Sequence, residues 1–593
     1  MTKKVSKVIK VLSEHEHILQ RPTIYVGSVK ISDENVPIIK NTKLHIESKP
    51  ISVGMYKLFD EVFSNSVDEA KRMKSKMKQI RIAVDSKTNQ MTIEDSGDGF
   101  INASVKNKKS GLANVATAMS MLRAGSNFEN DGIEESLIGT NGMGVSLVNA
   151  LSSYFRVQTI NSKEVYTQKW DNFKAGTPLI EKNNRRKYGT EVAFVPLTKV
   201  FDKCKWNKSV LYSILVLKKR VLEAEEKTKA LKIIFEWDGK VEEIKSDIYS
   251  EASYKTPIGE LLLWEKTYEG SASLSFMNSA ICTGIHQKII YDEINRHFDD
   301  SLAHHFYDVL LILNLPPALV KFGDQNKTRF VTKRDEVEPA IMAKFRTKIT
   351  AFTRNPLFTR IKRKVEARMK DSMLKDIRKA KKKINVKYSK KYTPPTSSRA
   401  KNLFIVEGQS AAGSILQERD PAKDGVYALK GKIKNARTLA DLQSVEILEL
   451  MQILNLDTES PTNNMPFENV IIAADQDPDG AHITSLVINL FYNWFPWVIK
   501  RKKLFFFETP LISIGNKTKK YFYTTEDFKK YKGNIKNVRY LKGLGSLAED
   551  DWETIMKNRR LINVIEDRKS KSLLNMAFGK SSQPRKKWLS MNK

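Results

Sequence analysis

Cysteine is nearly absent: Cys204 and Cys282 are the only two in 593 residues, and no CxxC pair or His/Cys cluster accompanies them. This excludes a disulfide framework, gives no basis for a zinc site and fits a reducing interior. Long apolar runs are missing too. No stretch nears the ~18 consecutive apolar residues of a membrane span, so no transmembrane helix is expected. The start, Met1-Thr2-Lys3-Lys4, carries charge but no apolar core after it, so it does not read as a secretory signal. The protein is expected to stay in the compartment where it is made. Acidic residues are in deficit, 68 Asp and Glu against 101 Lys and Arg, which leaves a formal charge of +33. Solubility needs far less, and such an excess implies an extended polyanion as partner, nucleic acid before a membrane surface.

The length is too great for one hydrophobic core and predicts several domains. Residues 1–247 mix helical and strand patterns, with turn signals at Ser96-Gly97-Asp98-Gly99 and between Gly139 and Gly144, as in one α/β domain. A second unit, 248–392, contains the apolar stretches Ala272 to Phe276 and Val309 to Leu315. It ends in a long helical region from Glu336 to about Lys383. Lys381-Lys382-Lys383, Lys387, Lys390 and Lys391 then precede Pro394-Pro395, with no acidic residue from Lys381 to Ala400. This predicts a linker over 393–400, and the basic run reads equally as a tether or a DNA contact. A third α/β unit, 401–593, opens with the buried-strand pattern Leu403-Phe404-Ile405-Val406.

Three segments in the first unit point to nucleotide chemistry. Glu61, Asn65 and Asp68 are spaced i, i+4 and i+7, so on a helix they share a face. There an amide oxygen of Asn65 suits Mg²⁺ while Glu61 activates a water. Ile93-Glu94-Asp95-Ser96-Gly97-Asp98-Gly99 reads as a strand ending in a tight turn, with Asp95 able to accept from an adenine amino group. Gly139-Thr140-Asn141-Gly142-Met143-Gly144 alternates glycines ahead of a helix from Val145 to Leu151, a pattern that lets backbone N–H groups close on phosphate oxygens.

Together, in this order, these segments resemble the Bergerat ATP-binding fold of the GHKL family, and Tyr188-Gly189-Thr190 adds a fourth match. The resemblance implies Glu61 as general base, Asn65 as Mg²⁺ ligand and Asp68 as a polar neighbour. It also implies Asp95 and Thr190 at the adenine beside Gly99, and Ser126 and Asn127 near the ribose and phosphates. GHKL proteins include chaperones, mismatch-repair proteins, histidine kinases and topoisomerases. His17-Ile18-Leu19-Gln20-Arg21-Pro22-Thr23-Ile24-Tyr25-Val26-Gly27-Ser28 resembles the strap that type IIA topoisomerase ATPase domains exchange in their dimer, and Gln325-Asn326-Lys327 their Gln-Thr-Lys loop. Asn326 departs from the family threonine. Gln325 and Lys327 carry over, with Lys327 at the γ-phosphate.

In the third unit Glu407 follows a predicted strand and stands before Gly408. Val470-Ile471-Ile472-Ala473-Ala474 leads into Asp475, Asp477 and Asp479, spaced by single residues. Such crowding calls for a cation, and Glu407 with these acids suits Mg²⁺. An EF-hand would need an acid at its twelfth position, which is Leu486. The segments resemble a TOPRIM domain instead. Ala428-Leu429-Lys430-Gly431-Lys432 and Lys542-Gly543-Leu544-Gly545 are similar to basic type IIA segments, which makes Lys430, Lys432 and Lys542 candidates for DNA phosphates.

The whole chain is therefore similar to the B-type subunit of a type IIA DNA topoisomerase, as in bacterial gyrase or the large subunit of T4-like phage or viral enzymes. The implied architecture is multi-domain α/β: a GHKL ATPase sandwich, an α/β transducer with a long helix, and a Rossmann-like TOPRIM domain. The implied activity is ATP-driven, Mg²⁺-dependent passage of one DNA duplex through another. No tyrosine follows Gly545, so the cleaving tyrosine is expected on a separate A-type subunit, in an A2B2 holoenzyme dimerised through the ATPase domains. The expected location is intracellular, with the DNA. Two alternatives stay open: a non-cutting GHKL clamp and a TOPRIM nuclease.

Overall fold

The computed structural model describes residues 12–73, 76–122, 124, 142–184, 187–266, 272–324, 327–386, 389–458, 464–516, 518–541, 543–544 and 547–591. The chain divides into two compact units, Met1–Val365 and Glu366–Lys593. Among the described residues no helix is long and apolar enough to cross a membrane.

Among the described residues the first unit contains two large sheets, beside the two-stranded pairs Ser32–Lys40 with Lys43–Ile51 and Thr283–Gly284 with Arg329–Phe330. The larger runs in the order Lys240–Glu243, Lys232–Trp237, Gln79–Asp85, Gln90–Asp95, Gly189–Pro196, Ser152–Ile160, Glu164–Asp171 and Lys174–Ala175, with Leu179–Lys182 also on Glu164–Asp171. In Gln79–Asp85 the alternation buries Ile80, Ile82 and Val84 on one face. The helices Val53–Arg72, Gly144–Ala150 and Lys208–Glu223 share that core. At one end of the sheet Lys240–Glu243 is exposed at every position.

Val53–Arg72 is the longest helix of this core, and its ends are marked in the sequence. The Ser52 hydroxyl accepts from the Met55 amide (3.3 Å), and Lys71 and Arg72 fall in the last turn, where cations suit the helix dipole. Met55, Leu58, Phe59, Val62 and Phe63 are almost wholly buried, which fixes the rotation of the helix. Glu61 and Asn65 are thereby left partly or fully exposed.

The smaller sheet of the unit runs Ala252–Thr256, Gly259–Glu265, Tyr307–Leu313, Leu274–Met277, Ala280–Ile281. Its centre, Tyr307–Leu313, is buried at every position, which explains a continuous apolar run in place of an alternation. Ile285–Arg296 and Arg334–Phe352 pack in its core. The expected continuous helix from Glu336 to Lys383 is in fact two, Arg334–Phe352 and Pro356–Lys383. Proline disfavours helical geometry in the residue before it, and Asn355 caps the new helix by accepting from the Leu357 amide (2.8 Å).

In the second unit the sheet order is Tyr392–Thr393, Asp424–Ala428, Asn402–Val406, Asn469–Ala473, Leu504–Phe507, Leu561–Asn563. The four central strands are parallel and the two edges antiparallel. Gln409–Glu418, Val445–Ile453 and Pro478–Trp494 pack on it. The segment expected to be a linker is docked here. Tyr392–Thr393 pairs with Val426 and Tyr427, Lys391 is ion-paired to Glu449 (3.0 Å), and Lys381 donates to the Leu456 carbonyl (2.8 Å). Part of the basic run is thus spent on the protein itself.

Gly259 stands opposite Leu313 with φ +144°, and a Cβ there would lie 1.9 Å from the Ile312 carbonyl oxygen. Gly259→Ala is expected to destabilise the first unit by about 2–3 kcal/mol, read as a lowered urea midpoint.

Candidate functional site

Asp95 ends its strand directly opposite Thr190. Its carboxylate accepts from the Ser66 hydroxyl (3.0 Å), the Gly97 amide (2.9 Å) and the Thr190 amide (3.3 Å). Burial pushes this carboxyl up to about 6, against the pull of the Gly97, Ser66 and Thr190 donors. The Thr190 hydroxyl meets that of Thr159 at 3.1 Å, and Thr159 in turn accepts from the Phe100 amide (2.8 Å). Gly99, at φ +71°, passes so close to Ile160 that a Cβ would lie 2.3 Å from its carbonyl oxygen. The turn therefore needs glycine there. Ser66 and Thr159 do not stand out in the sequence, since their roles depend on contacts 29 and 31 residues away along the chain.

Glu61 lies against the start of the helix that follows the glycine segment. A Cβ on Gly144 would sit 2.1 Å from Glu61 Oε2, so the absence of a side chain makes room for the carboxylate. Gly142, just before it, has φ +59°. Met143 supplies the N-cap backbone of the helix. Lys57, one turn earlier than Glu61, holds the Glu61 carboxylate at 2.7 Å. Lys327 reaches the same neighbourhood from the second sheet's side. Burial pushes its ammonium below the ordinary lysine value, opposed by Glu61, Asp60 and Asp68 and helped by Lys57. Asp68 is buried and Asn65 exposed. Ser126, Asn127, Gly139, Thr140, Asn141 and Gln325 lie outside the described residues.

The second set of acids is placed by strand register. Val406 pairs with Ala473, so Glu407 and the Asp475 segment leave the same end of two adjacent parallel strands. Glu407 Oε2 accepts from the Asp475 amide at 3.2 Å. Burial raises the Glu407 carboxyl, and the negative fields of Asp475, Asp477 and Asp479 add to it. Asp477 caps the helix Pro478–Trp494 by accepting from the Gly480 amide (2.7 Å), with Pro478 at the first helical position, where a proline loses nothing. Asp475 accepts from the Leu544 amide (2.7 Å), and a Cβ on Gly543 would lie 2.4 Å from its carboxylate.

Glu407, Asp475 and Asp477 offer oxygen donors, and the charge crowding at Glu407 is what a hard dication relieves, so these residues fit Mg²⁺. Glu407, Asp475 and Asp477 each keep an oxygen not used in the bonds above. They are not yet gathered: among the described residues no three His, Cys, Asp or Glu stand close enough to hold a metal ion. Asp479, expected as a fourth ligand, is largely exposed and ion-paired to Lys432 at 2.8 Å. Lys432 is thus engaged by an acid, Lys430 is exposed, and Lys542 lies outside the described residues.

Residues 402–509 match the Toprim domain and residues 507–593 the C-terminal associated domain of TOPRIM. The chain is 25% identical to the mitochondrial DNA topoisomerase 2 of Dictyostelium discoideum over 99% of its length and 54% of that protein's. It is 26% identical to DNA topoisomerase 2 of Arabidopsis thaliana over 99% of its own length and 43% of the relative's. It thus spans about half, or less, of these eukaryotic relatives. The B subunit of DNA topoisomerase 4 from Mycoplasma genitalium is 25% identical and matches over 98% of both chains. Two solved structures share the fold of a part of the chain. The ATPase region of Saccharomyces cerevisiae topoisomerase II has a TM-score of 0.50 and 20% identity, covering 60% of this chain and 99% of that one. The ATPase and transducer domains of DNA topoisomerase II from Balamuthia mandrillaris have a TM-score of 0.50 and 18% identity, covering 62% and 100%. The chain therefore joins an ATPase-and-transducer α/β fold to a Toprim domain. As a whole it resembles a B-type subunit of the type IIA DNA topoisomerases.

Asp95 titrates at about 6 in the fold and at 3.8 ordinarily. A raised carboxyl favours the folded state most below its ordinary value, so Asp95 costs the ligand-free protein roughly 3 kcal/mol, lost as pH rises from its ordinary value to about 6. Asp95→Asn is expected to remove that part of the pH dependence of the urea midpoint and to weaken adenine-nucleotide binding about 10-fold or more. Gly144→Ala is expected to displace Glu61 and lower ATP turnover about 100-fold in steady-state assays. Gly413→Ala, at a position with open space around it, leaves turnover unchanged.

Proposed function

We propose that this chain is the ATP-hydrolysing, Mg²⁺-binding subunit of a type IIA DNA topoisomerase, acting on double-stranded DNA with a tyrosine supplied by a separate A-type subunit. The observation that carries the reading is the presence, in one chain, of an adenine-type carboxylate, a lysine-held glutamate and a Toprim pair of strand-end acids. The end-to-end match with the B subunit of a topoisomerase 4 supports the separate tyrosine, and the charge of +33 supports a DNA substrate.

In this reading Asp95, steadied by Ser66 and Thr190, accepts from the adenine amino group. Glu61 takes the proton of the water that attacks the γ-phosphate, and Asn65 offers its amide oxygen to the Mg²⁺ of the nucleotide. Lys327 binds the γ-phosphate, so the second sheet senses whether the nucleotide is intact. Ser126, Asn127, Gln325 and the glycine segment Gly139 to Gly144 also bind the nucleotide in this reading. Two copies close through the strap His17 to Ser28, in an A2B2 assembly of phage or viral type. In the Toprim domain Glu407, Asp475 and Asp477 hold the cation, with Asp479 joining once Lys432 lets it go. Mg²⁺ bound there stabilises phosphoryl charge and the departing 3′-oxygen. Lys430, Lys432 and Lys542 bind backbone phosphates.

Glu61→Ala is expected to lower the ATPase turnover of the full chain by about 100-fold or more while nucleotide still binds. Retained turnover removes Glu61 from its role. Glu407→Ala leaves DNA-independent ATPase unchanged and abolishes double-strand cleavage by the assembly with the tyrosine-bearing partner. Normal cleavage by that variant sinks the metal assignment, and relaxation of supercoiled DNA by the chain alone sinks the two-subunit reading.

A further inference from the structure

The helix Val53–Arg72 carries an unusual load of charge on its inner side. Lys57 is followed at i+3 by Asp60 and at i+4 by Glu61, so a single ammonium stands one turn from both carboxylates. It meets both, Asp60 at 3.5 Å and Glu61 at 2.7 Å, with its side chain only 9% exposed. A second lysine, Lys218, 5% exposed, contacts the other oxygen of Asp60. Buried ammonium groups are tolerated only when paired, and here two of them share the Asp60 carboxylate. Burial alone would push the Asp60 carboxyl up, but Lys218 and then Lys57 hold it below the usual carboxylate range.

Lys218 also has a second partner. It donates to the Ser279 carbonyl at 3.2 Å, in the tight turn between Leu274–Met277 and Ala280–Ile281. Asn278 and Ser279 both have positive φ there, 47° and 72°, as a two-residue hairpin turn demands. That turn is locked: the Asn278 side chain donates to the Leu315 carbonyl (2.9 Å) and accepts from the Leu315 amide (2.8 Å), just beyond the central strand Tyr307–Leu313. Two residues after Lys218, Arg220 forks onto Glu260 of the same sheet with two bonds of 2.8 Å. The helix Lys208–Glu223 is therefore clamped on the second sheet, and of its two clamps only Lys218 touches Asp60.

We propose that Asp60 and Lys218 are positioning residues for Glu61: the chain Glu61–Lys57–Asp60–Lys218 ends on the Ser279 carbonyl and makes the orientation of the hydrolytic glutamate depend on how the second sheet is seated. Asp60 divides Lys57 between two carboxylates and so fixes where its ammonium, and with it Glu61, comes to rest. Without the Asp60 charge Lys57 follows Glu61 alone, and the carboxylate loses its line to the attacking water. The turn that anchors Lys218 is hydrogen-bonded through Asn278 to Leu315, and from Leu315 the chain runs on to Lys327. The sheet thus reaches the hydrolytic centre twice, once by Lys327 and once through this chain. The inference rests on Glu61 being the proton acceptor.

The test is steady-state ATPase and nucleotide binding by the full chain. Asp60→Asn, which keeps shape and removes charge, is expected to lower kcat about 10- to 100-fold with KM for ATP nearly unchanged. Lys218→Met does the same, Lys218→Arg restores most of the rate, and the double variant Asp60→Asn/Lys218→Met is no slower than either single one, because both cut one chain. If Lys218→Met does not fold, Asp60→Asn with Lys218→Arg still decides. Normal kcat in Asp60→Asn beside an inactive Glu61→Ala overturns this inference alone, as do multiplying effects in the double variant. Loss of nucleotide binding in step with kcat makes Asp60 structural and overturns it as well. Full turnover in Glu61→Ala overturns instead the reading of the nucleotide site on which the inference stands.

Discussion

A carboxylate taken out of water must be answered by donors, and that constraint shapes both units of this protein. Asp95 is answered by a hydroxyl and two amides, Asp60 by two lysines, Glu407 by the Asp475 amide, and Asp475 by the Leu544 amide. For each acid at least one answer comes from another element, so each acid also ties elements together. Asp95 joins its strand to the helix Val53–Arg72 and to the next strand. Asp475 joins the strand end to the Gly543-Leu544 turn. The acids with chemistry to perform are thus also among the groups that set the geometry around them, and altering one alters its frame.

The glycines at these points follow from the same crowding. Gly144 leaves space for Glu61, Gly543 for Asp475, and Gly480 lets the Toprim helix begin hard against the Asp475 backbone, where a Cβ would lie 2.1 Å from its carbonyl oxygen. Backbone pressed this close to a carboxylate brings amide donors within reach that a side chain would hold away. Glycine is used here less for flexibility than for proximity.

Much of this was legible in the sequence because it is local. Asp95 with its Ser-Gly-Asp-Gly turn, the helical spacing of Glu61, Asn65 and Asp68, and the run of apolar residues before Glu407 and Asp475 each declare themselves within a few residues. What stayed hidden joins distant parts of the chain. Lys218 meets Asp60 across 158 residues, and nothing in the pattern of the helix Lys208–Glu223 marks that lysine out. Thr393, at the start of the segment 393–400 that reads as a linker, is half of the docked strand Tyr392–Thr393, whose pairing depends on a sheet edge formed later in the chain. Pro356 is in plain view, yet the apolar spacing of Leu357, Phe358 and Ile361 continues a helical pattern across it. A proline that opens a helix and one that interrupts it look alike until the capping bond of Asn355 is seen. Pro478 poses the same ambiguity and resolves the same way.

The strand Lys240–Glu243 closes one edge of the largest sheet with a short, wholly exposed Lys-Val-Glu-Glu. An open edge of that sheet would offer unpaired backbone groups to any extended peptide, including an identical edge on another copy. Charge of both signs on so short a strand makes it a poor template. Copies of this protein can therefore lie side by side without zipping together at that edge.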